Sequence, residues 1–92
     1  MRKRPLNLDK VLTDVGRRIA ELRSQRDLTQ EQLAARADIG WKYLQQIELG
    51  YENLTLQSLV KFANLFGVGL TELVKVPKIR KVRAGRPRSR RK

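Results

Sequence analysis

"TQEQLAARADIGWKYLQQIELG", residues 29–50, is two short helical patterns with a three-residue joint between them. Thr29 and Gln32 have the spacing of a capping box, and Leu28 and Leu33 are placed as its hydrophobic staple. The first pattern ends at Ala37, and Asp38, Ile39 and Gly40 interrupt it. Asp38 and Gly40 can both relieve the backbone in a tight joint, since Asp tolerates the left-handed region better than most residues. The second pattern restarts at Trp41 and stops at Gly50, a natural glycine just past a helix end. With about 100° between successive residues, Leu44 and Ile47 point one way, with Gly40 beside them. Lys42, Gln45, Gln46 and Leu49 point the opposite way, and Trp41 and Tyr43 flank the two sides. A helix this short is hardly stable alone. Leu33, Ile39, Leu44 and Ile47 must therefore hold the two together.

Outward from this stretch, helical periodicity continues. Leu8, Val11, Leu12, Val15, Ile19 and Leu22 form one stripe of a first helix, which Asp27 and Leu28 break. Thr55 can cap "LQSLVKFANLF", which Gly67 ends and whose Leu59, Ala63 and Phe66 share a core-closing face. Thr71 can cap a final turn, "ELV". No segment alternates with period two, so the expected fold is all-α, a compact five-helix domain without a sheet. The expected organisation is a basic N-terminal arm at 1–7, the helical domain at 8–76 and a basic tail at 77–92. Such a tail is too poor in apolar residues to offset its chain entropy and is expected to be disordered when free.

The charge is unevenly spread over the 92 residues. The first four carry three cations and residues 75–92 carry ten, with no acid in either, while the stretch between holds eight basic and nine acidic residues. A near-neutral core with basic ends points to a polyanionic partner. No apolar run approaches the roughly 20 residues that span a bilayer, and Pro5–Val11 is too polar for a secretory leader. Cysteine and histidine are absent, which removes disulfides, thiolate metal sites and the commonest general base. No nucleophile–base pair, metal cluster or phosphate-cradling glycine loop is present, so neither an enzyme nor a cofactor is expected.

The outward face of the second short helix carries a cation and two amides. Lys and Gln are side chains that read base edges in a major groove, Gln bidentate to adenine and Lys to guanine. Two short helices of this kind make a helix-turn-helix whose second helix faces DNA. Residues 15–74, through "VGRRIAELRSQRDLTQEQLAARA", "IELG" and "NLTLQSLVKFANLFGVGLTEL", resemble the Cro and phage-repressor (XRE-like) helix-turn-helix family, lambda-repressor-like in fold. Within it, "KYLQQIELGYENLTLQSL" is most similar to the small controller proteins of restriction–modification systems.

The resemblance implies roles for individual residues. Trp41, Lys42, Gln45 and Gln46 fall at or between base-reading positions. Gln30 matches a phosphate-gripping glutamine, and Gly40, Tyr43 and Asn53 are expected near the backbone with it. Arg23 and Glu48 match a partly buried ion pair tying the first helix to the recognition helix. Arg17 and Arg18 read as a solvated face. Glu52 stands where relatives place phosphate-contacting cations, and Asp38 where the family often has glycine, so the basic ends are expected to make up the phosphate contacts.

"RAGRPR", residues 83–88, resembles an AT-hook. Arg83, Arg86 and Arg88 would follow the minor groove, Pro87 would keep the chain extended, and Gly85 has no side chain to clash; nonspecific tethering is the competing account. Leu65, Leu73, Val74 and Val76 are expected to form a two-fold dimer contact, setting two recognition helices about 34 Å apart. The expectation is thus a bacterial, cytoplasmic, nucleoid-associated homodimer that binds double-stranded DNA and regulates transcription. Its rivals are an antitoxin that also binds a toxin, and a nonspecific architectural nucleic-acid binder.

Overall fold

The computed structural model describes residues 5–78, which form five helices and, among those residues, no strand. Helix α1 (Leu8–Gln25) begins where the Asn7 side chain accepts a hydrogen bond from the Lys10 amide at 3.0 Å, with Asp9 favourably placed in the first turn. Helix α2 (Gln30–Ala37) opens on the full capping box: the Gln32 amide donates to Thr29 Oγ1 and the Thr29 amide to Gln32 Oε1. Helices α3 (Trp41–Leu49), α4 (Leu56–Phe66) and α5 (Leu70–Val74) follow. Thr55 caps α4 through the Ser58 amide. Thr71 does not cap α5. The Glu72 amide bonds the Gly69 carbonyl at 3.0 Å, so the turn starts at Leu70, with Gly69 as its cap.

Four helices end alike. Asp27, Asp38, Gly50 and Gly67 each adopt a left-handed φ. The amide of the next residue bonds the carbonyl five positions back: Leu28 to Arg23, Ile39 to Ala34, Tyr51 to Gln46 and Val68 to Ala63. This motif uses up orphan carbonyls and turns the following side chain inward. Leu28, Ile39 and Val68 accordingly pack against the core. Gly50 is needed twice over, because a Cβ there would also lie 2.7 Å from the Thr13 backbone of α1.

The core joins Val15, Ile19 and Leu22 of α1, Leu33, Ala34 and Ala37 of α2, Leu44 and Ile47 of α3, Phe62, Ala63 and Phe66 of α4, and Leu73 of α5. The α1 stripe is buried only from Val15 onward; Leu8 and Val11 are exposed. Leu73 is fully buried within its own chain, which removes it from the dimer contact expected of it. The reason is that α5 lies across α1 and points this residue into the shared core.

Cations from one helix close the carbonyl ends of others. Lys61 Nζ donates to the Ala37 carbonyl at the end of α2, and Arg26 Nη2 to the Phe66 carbonyl at the end of α4. Arg17 Nη2 reaches the Glu48 carbonyl of α3, and Arg18 Nε the Glu72 carbonyl of α5. Arg17 and Arg18 are therefore not a solvated face. Arg18 is only 7 % exposed, and its guanidinium also meets Glu21 at 3.0 Å and the Glu72 carboxylate at 2.8 Å. A cation at a helix C-terminus complements the dipole and satisfies an unpaired carbonyl.

Candidate nucleic-acid interface

Helix α3 is held rigidly from behind. Gly16 lets α1 approach it so closely that a Cβ at this position would lie 2.7 Å from the Glu48 carbonyl oxygen and closer still to that of Ile47. Glu48 is itself buried, and its carboxylate takes Arg23 Nε at 2.8 Å and Nη2 at 3.1 Å in a bidentate contact. The third arm of Arg23, Nη1, donates to the Leu28 carbonyl at 2.9 Å. One guanidinium thus fixes the end of α3 to both α1 and the α1–α2 joint. Glu48 Oε1 also accepts from Gln30 Nε2 at 2.9 Å, and Gln30 Oε1 accepts from Trp41 Nε1 at 3.4 Å.

The other side of α3 faces away from the core. Leu44, Ile47 and Glu48 are buried, while Lys42 and Tyr43 are exposed and Gln45 and Gln46 half-buried. Trp41 is 46 % exposed at the start of the same helix. Gly40 precedes it in extended conformation and gives α3 no side-chain cap. The first-turn amides of α3 therefore have no side-chain acceptor from that residue. Tyr51 and Asn53 lie beyond the helix, lining a shallow crevice with Leu8, Leu12, Thr13 and Gly50.

Two groups of expected residues are not gathered here. Leu65, Val74 and Val76 are exposed and belong to α4, α5 and the segment after it. Val74 and Val76 line a groove of about 510 Å³ together with Pro5, Leu6 and Val11. The tail residues Arg83, Gly85, Arg86, Pro87 and Arg88 lie outside the described residues. Two features of the site carry no expectation from sequence: the Gly16 approach and the bridging of Glu48 to Trp41 by Gln30. A glycine in the middle of a helical stripe, costly there unless something packs against it, is the signal for the first. The second has no sequence signal.

No helix of the described residues is long and apolar enough to cross a membrane, and no three His, Cys, Asp or Glu side chains among them are grouped to hold a metal. The fold and its sequence have known counterparts. The family model described as Helix-turn-helix (HTH_3) matches residues 19–73. An uncharacterized HTH-type transcriptional regulator, y4dJ of Sinorhizobium fredii, is 40 % identical over 60 residues, covering 65 % of this chain and 78 % of its own. The restriction–modification controller protein C.AhdI of Aeromonas hydrophila superposes with a TM-score of 0.64 at 32 % identity, over 67 % of this chain and 94 % of that one. SinR, the master regulator for biofilm formation, solved in complex with DNA, superposes with a TM-score of 0.61 at 27 % identity, over 66 % and 98 % of the two chains. With the family model spanning α2, the joint and α3, the chain belongs to the helix-turn-helix (HTH_3) family of Cro/repressor-like, DNA-binding transcriptional regulators.

Proposed function

We propose that this chain regulates transcription as a homodimer, setting α3 of each copy in the major groove of its operator. The observation that carries the reading is the division of α3 into two faces. Behind, Glu48, Leu44 and Ile47 are consumed by the fold. In front, Lys42, Gln45 and Gln46 have no hydrogen-bond or ion-pair partner among the described residues. Lysine and glutamine side chains left free on one rigid face are suited to guanine and adenine edges. Trp41 adds an apolar surface beside them. Phosphate contacts fall to Gln30, the Gly40 turn, Tyr43 and Asn53, which position the helix without reading sequence.

Leu65, Val74 and Val76, all exposed, form the two-fold contact that spaces the helices by about 34 Å. The basic ends supply affinity, with residues 83–88 as an AT-hook-like element in an A·T-rich minor groove. The place of action is the bacterial nucleoid, and the controller proteins are a subfamily akin to this chain in text and fold. Fluorescence anisotropy with the duplex upstream of the gene and a shuffled duplex, at several salt concentrations, tests this directly. A preference for the upstream duplex that persists as salt rises is expected. Equal affinity for both at every salt concentration would leave only backbone attraction.

A further inference from the structure

Leu49 is the last residue of α3, and the function proposed above leaves it without a task. Successive helical residues turn by about 100°, so Leu49 falls between Gln45 and Gln46 as seen down the axis, within an arc of about 100° that also holds Lys42. It is 37 % exposed and takes no part in the core. We propose that Leu49 is a base-reading residue that selects a pyrimidine carrying a 5-methyl group, thymine in an ordinary duplex, beside the base read by Gln46. This rests on the DNA-binding reading above and adds a specificity determinant to it.

The position of Leu49 on the helix allows the contact. Side chains of a helix lean toward its N-terminus, so the Leu49 methyls lie over the turn of Gln45 and Gln46 rather than beyond the helix end. The rise from Gln46 to Leu49 is about 4.5 Å, close to one base step of about 3.4 Å once the lean is allowed for. The backbone is fixed on both sides of it. Glu48 is buried and paired with Arg23, and its carbonyl accepts from Arg17 Nη2 at 3.2 Å. Gly50 closes the helix with a left-handed φ, against the Thr13 backbone. On that fixed backbone a leucine also has less rotamer freedom to lose than the glutamines beside it.

The chemistry of the side chain narrows what it can read. Leucine neither donates nor accepts. Set against a guanine, an adenine or a cytosine edge, it would strip water from polar groups and replace no hydrogen bond. The C5-methyl of thymine is the apolar group that the major groove offers. An apolar side chain in a polar reading face therefore selects twice, by contact with the methyl and by a penalty at the other bases.

Uracil differs from thymine only by that methyl, which gives the test. Full-length wild type, Leu49→Ala and Leu49→Met are titrated by fluorescence anisotropy with the upstream duplex made with thymine or with uracil, and with the shuffled duplex made both ways. Wild type should bind the upstream uracil duplex about four- to fifteenfold more weakly than its thymine form, the value of one or two buried methyls. The shuffled pair should show no such loss. Leu49→Ala should bind the two upstream duplexes more nearly alike, and Leu49→Met, which keeps an apolar reach, should keep the difference. Equal wild-type affinity for the two upstream duplexes would overturn the assignment. So would a thymine-to-uracil loss in Leu49→Ala as large as in wild type, which would leave the Trp41 ring as the reader of the methyl. An equal loss by Leu49→Ala on all four duplexes would place Leu49 on the DNA backbone or between copies of the chain, and would also overturn it. If wild type does not prefer the upstream thymine duplex to the shuffled one, the proposed function fails and the assignment of Leu49 with it. A preference that survives replacement of thymine by uracil undiminished removes Leu49 alone.

Discussion

A glutamine reads adenine because one amide group donates and accepts at once, which no other base edge in the major groove answers in the same way. Gln46 has both groups uncommitted on the outer side of α3, while Gln30, with the same amide, is engaged at both ends. Two glutamines in one motif are thus left with different hydrogen-bonding capacity because their neighbours differ. Gln46→Ala should weaken binding to the preferred duplex by roughly 1–3 kcal/mol and to random DNA far less. Equal losses in parallel titrations would take Gln46 out of the base-reading set. Gly16 shows the same dependence on surroundings within the fold. Alanine is favoured over glycine in a helix interior by about 1 kcal/mol, so Gly16→Ala would stabilise an isolated α1. Here the new methyl would press on the Ile47 and Glu48 carbonyls, which belong to backbone and cannot swing aside. The expected outcome is a net loss of about 1–3 kcal/mol, as for other overpacked sites, read as a lower midpoint in urea. A gain would mean that α1 and α3 can separate at little cost.

Among the elements, those whose limits are written in local chemistry were legible in the sequence. The Thr29–Gln32 box, the Asp38 joint, Gly50, Thr55 and Gly67 all lie where their side chains or their φ make them useful, and the five-helix, all-α architecture followed from them. What was not legible depends on residues far apart in the chain. Arg17 and Arg18 look like a solvated doublet until α5, over 50 residues on, brings Glu72 against Arg18. Leu73 sits on a helix too short for a wheel to tell its inside from its outside, so its burial had no periodic signal. In the site, the outward set of α3 follows from helical periodicity alone, whereas the role of Gln30 as a bridge needs three elements in place. The α5 clamp also has a pH signature. Hydrogen bonds from Lys75 and then Arg18 hold the Glu72 carboxyl below its usual value of 4.5. A carboxyl depressed in the folded state stabilises the fold above its unfolded pKa, and that contribution is lost as pH falls through the lower, folded value. Thermal melting from pH 7 down to pH 3 should therefore show wild type losing stability below about pH 4.5 more steeply than Glu72→Gln. Parallel curves would mean that the clamp is not ionic in solution.

At the scale of the whole molecule, the folded part uses its own positive charge. Between residues 5 and 74 there are eight basic side chains, and Arg17, Arg18, Arg23, Arg26 and Lys61 all bond to carbonyls or carboxylates of the fold. A guanidinium held at a helix end has fewer donors left for a phosphate, and nine acids in the same stretch offset the field of those cations. A DNA-binding domain of this kind has shape and base-edge chemistry but little electrostatic attraction of its own. On the function proposed above, the counterion release that dominates affinity for a duplex is assigned to the charge-dense ends of the chain. Because Pro77 is buried against the folded part, a chain ending at Lys78 keeps the domain whole while removing the eight cations of residues 79–92. Its affinity for every duplex should fall, and the slope of log affinity against log salt should flatten by about 0.9 for each phosphate that the tail had neutralised. The ratio between the upstream and shuffled duplexes should change little, since α3 is untouched. A truncated chain with the original slope would show that the tail does not touch DNA. One that kept its general affinity but lost its preference for A·T-rich duplexes would instead make residues 83–88 a reader of the minor groove.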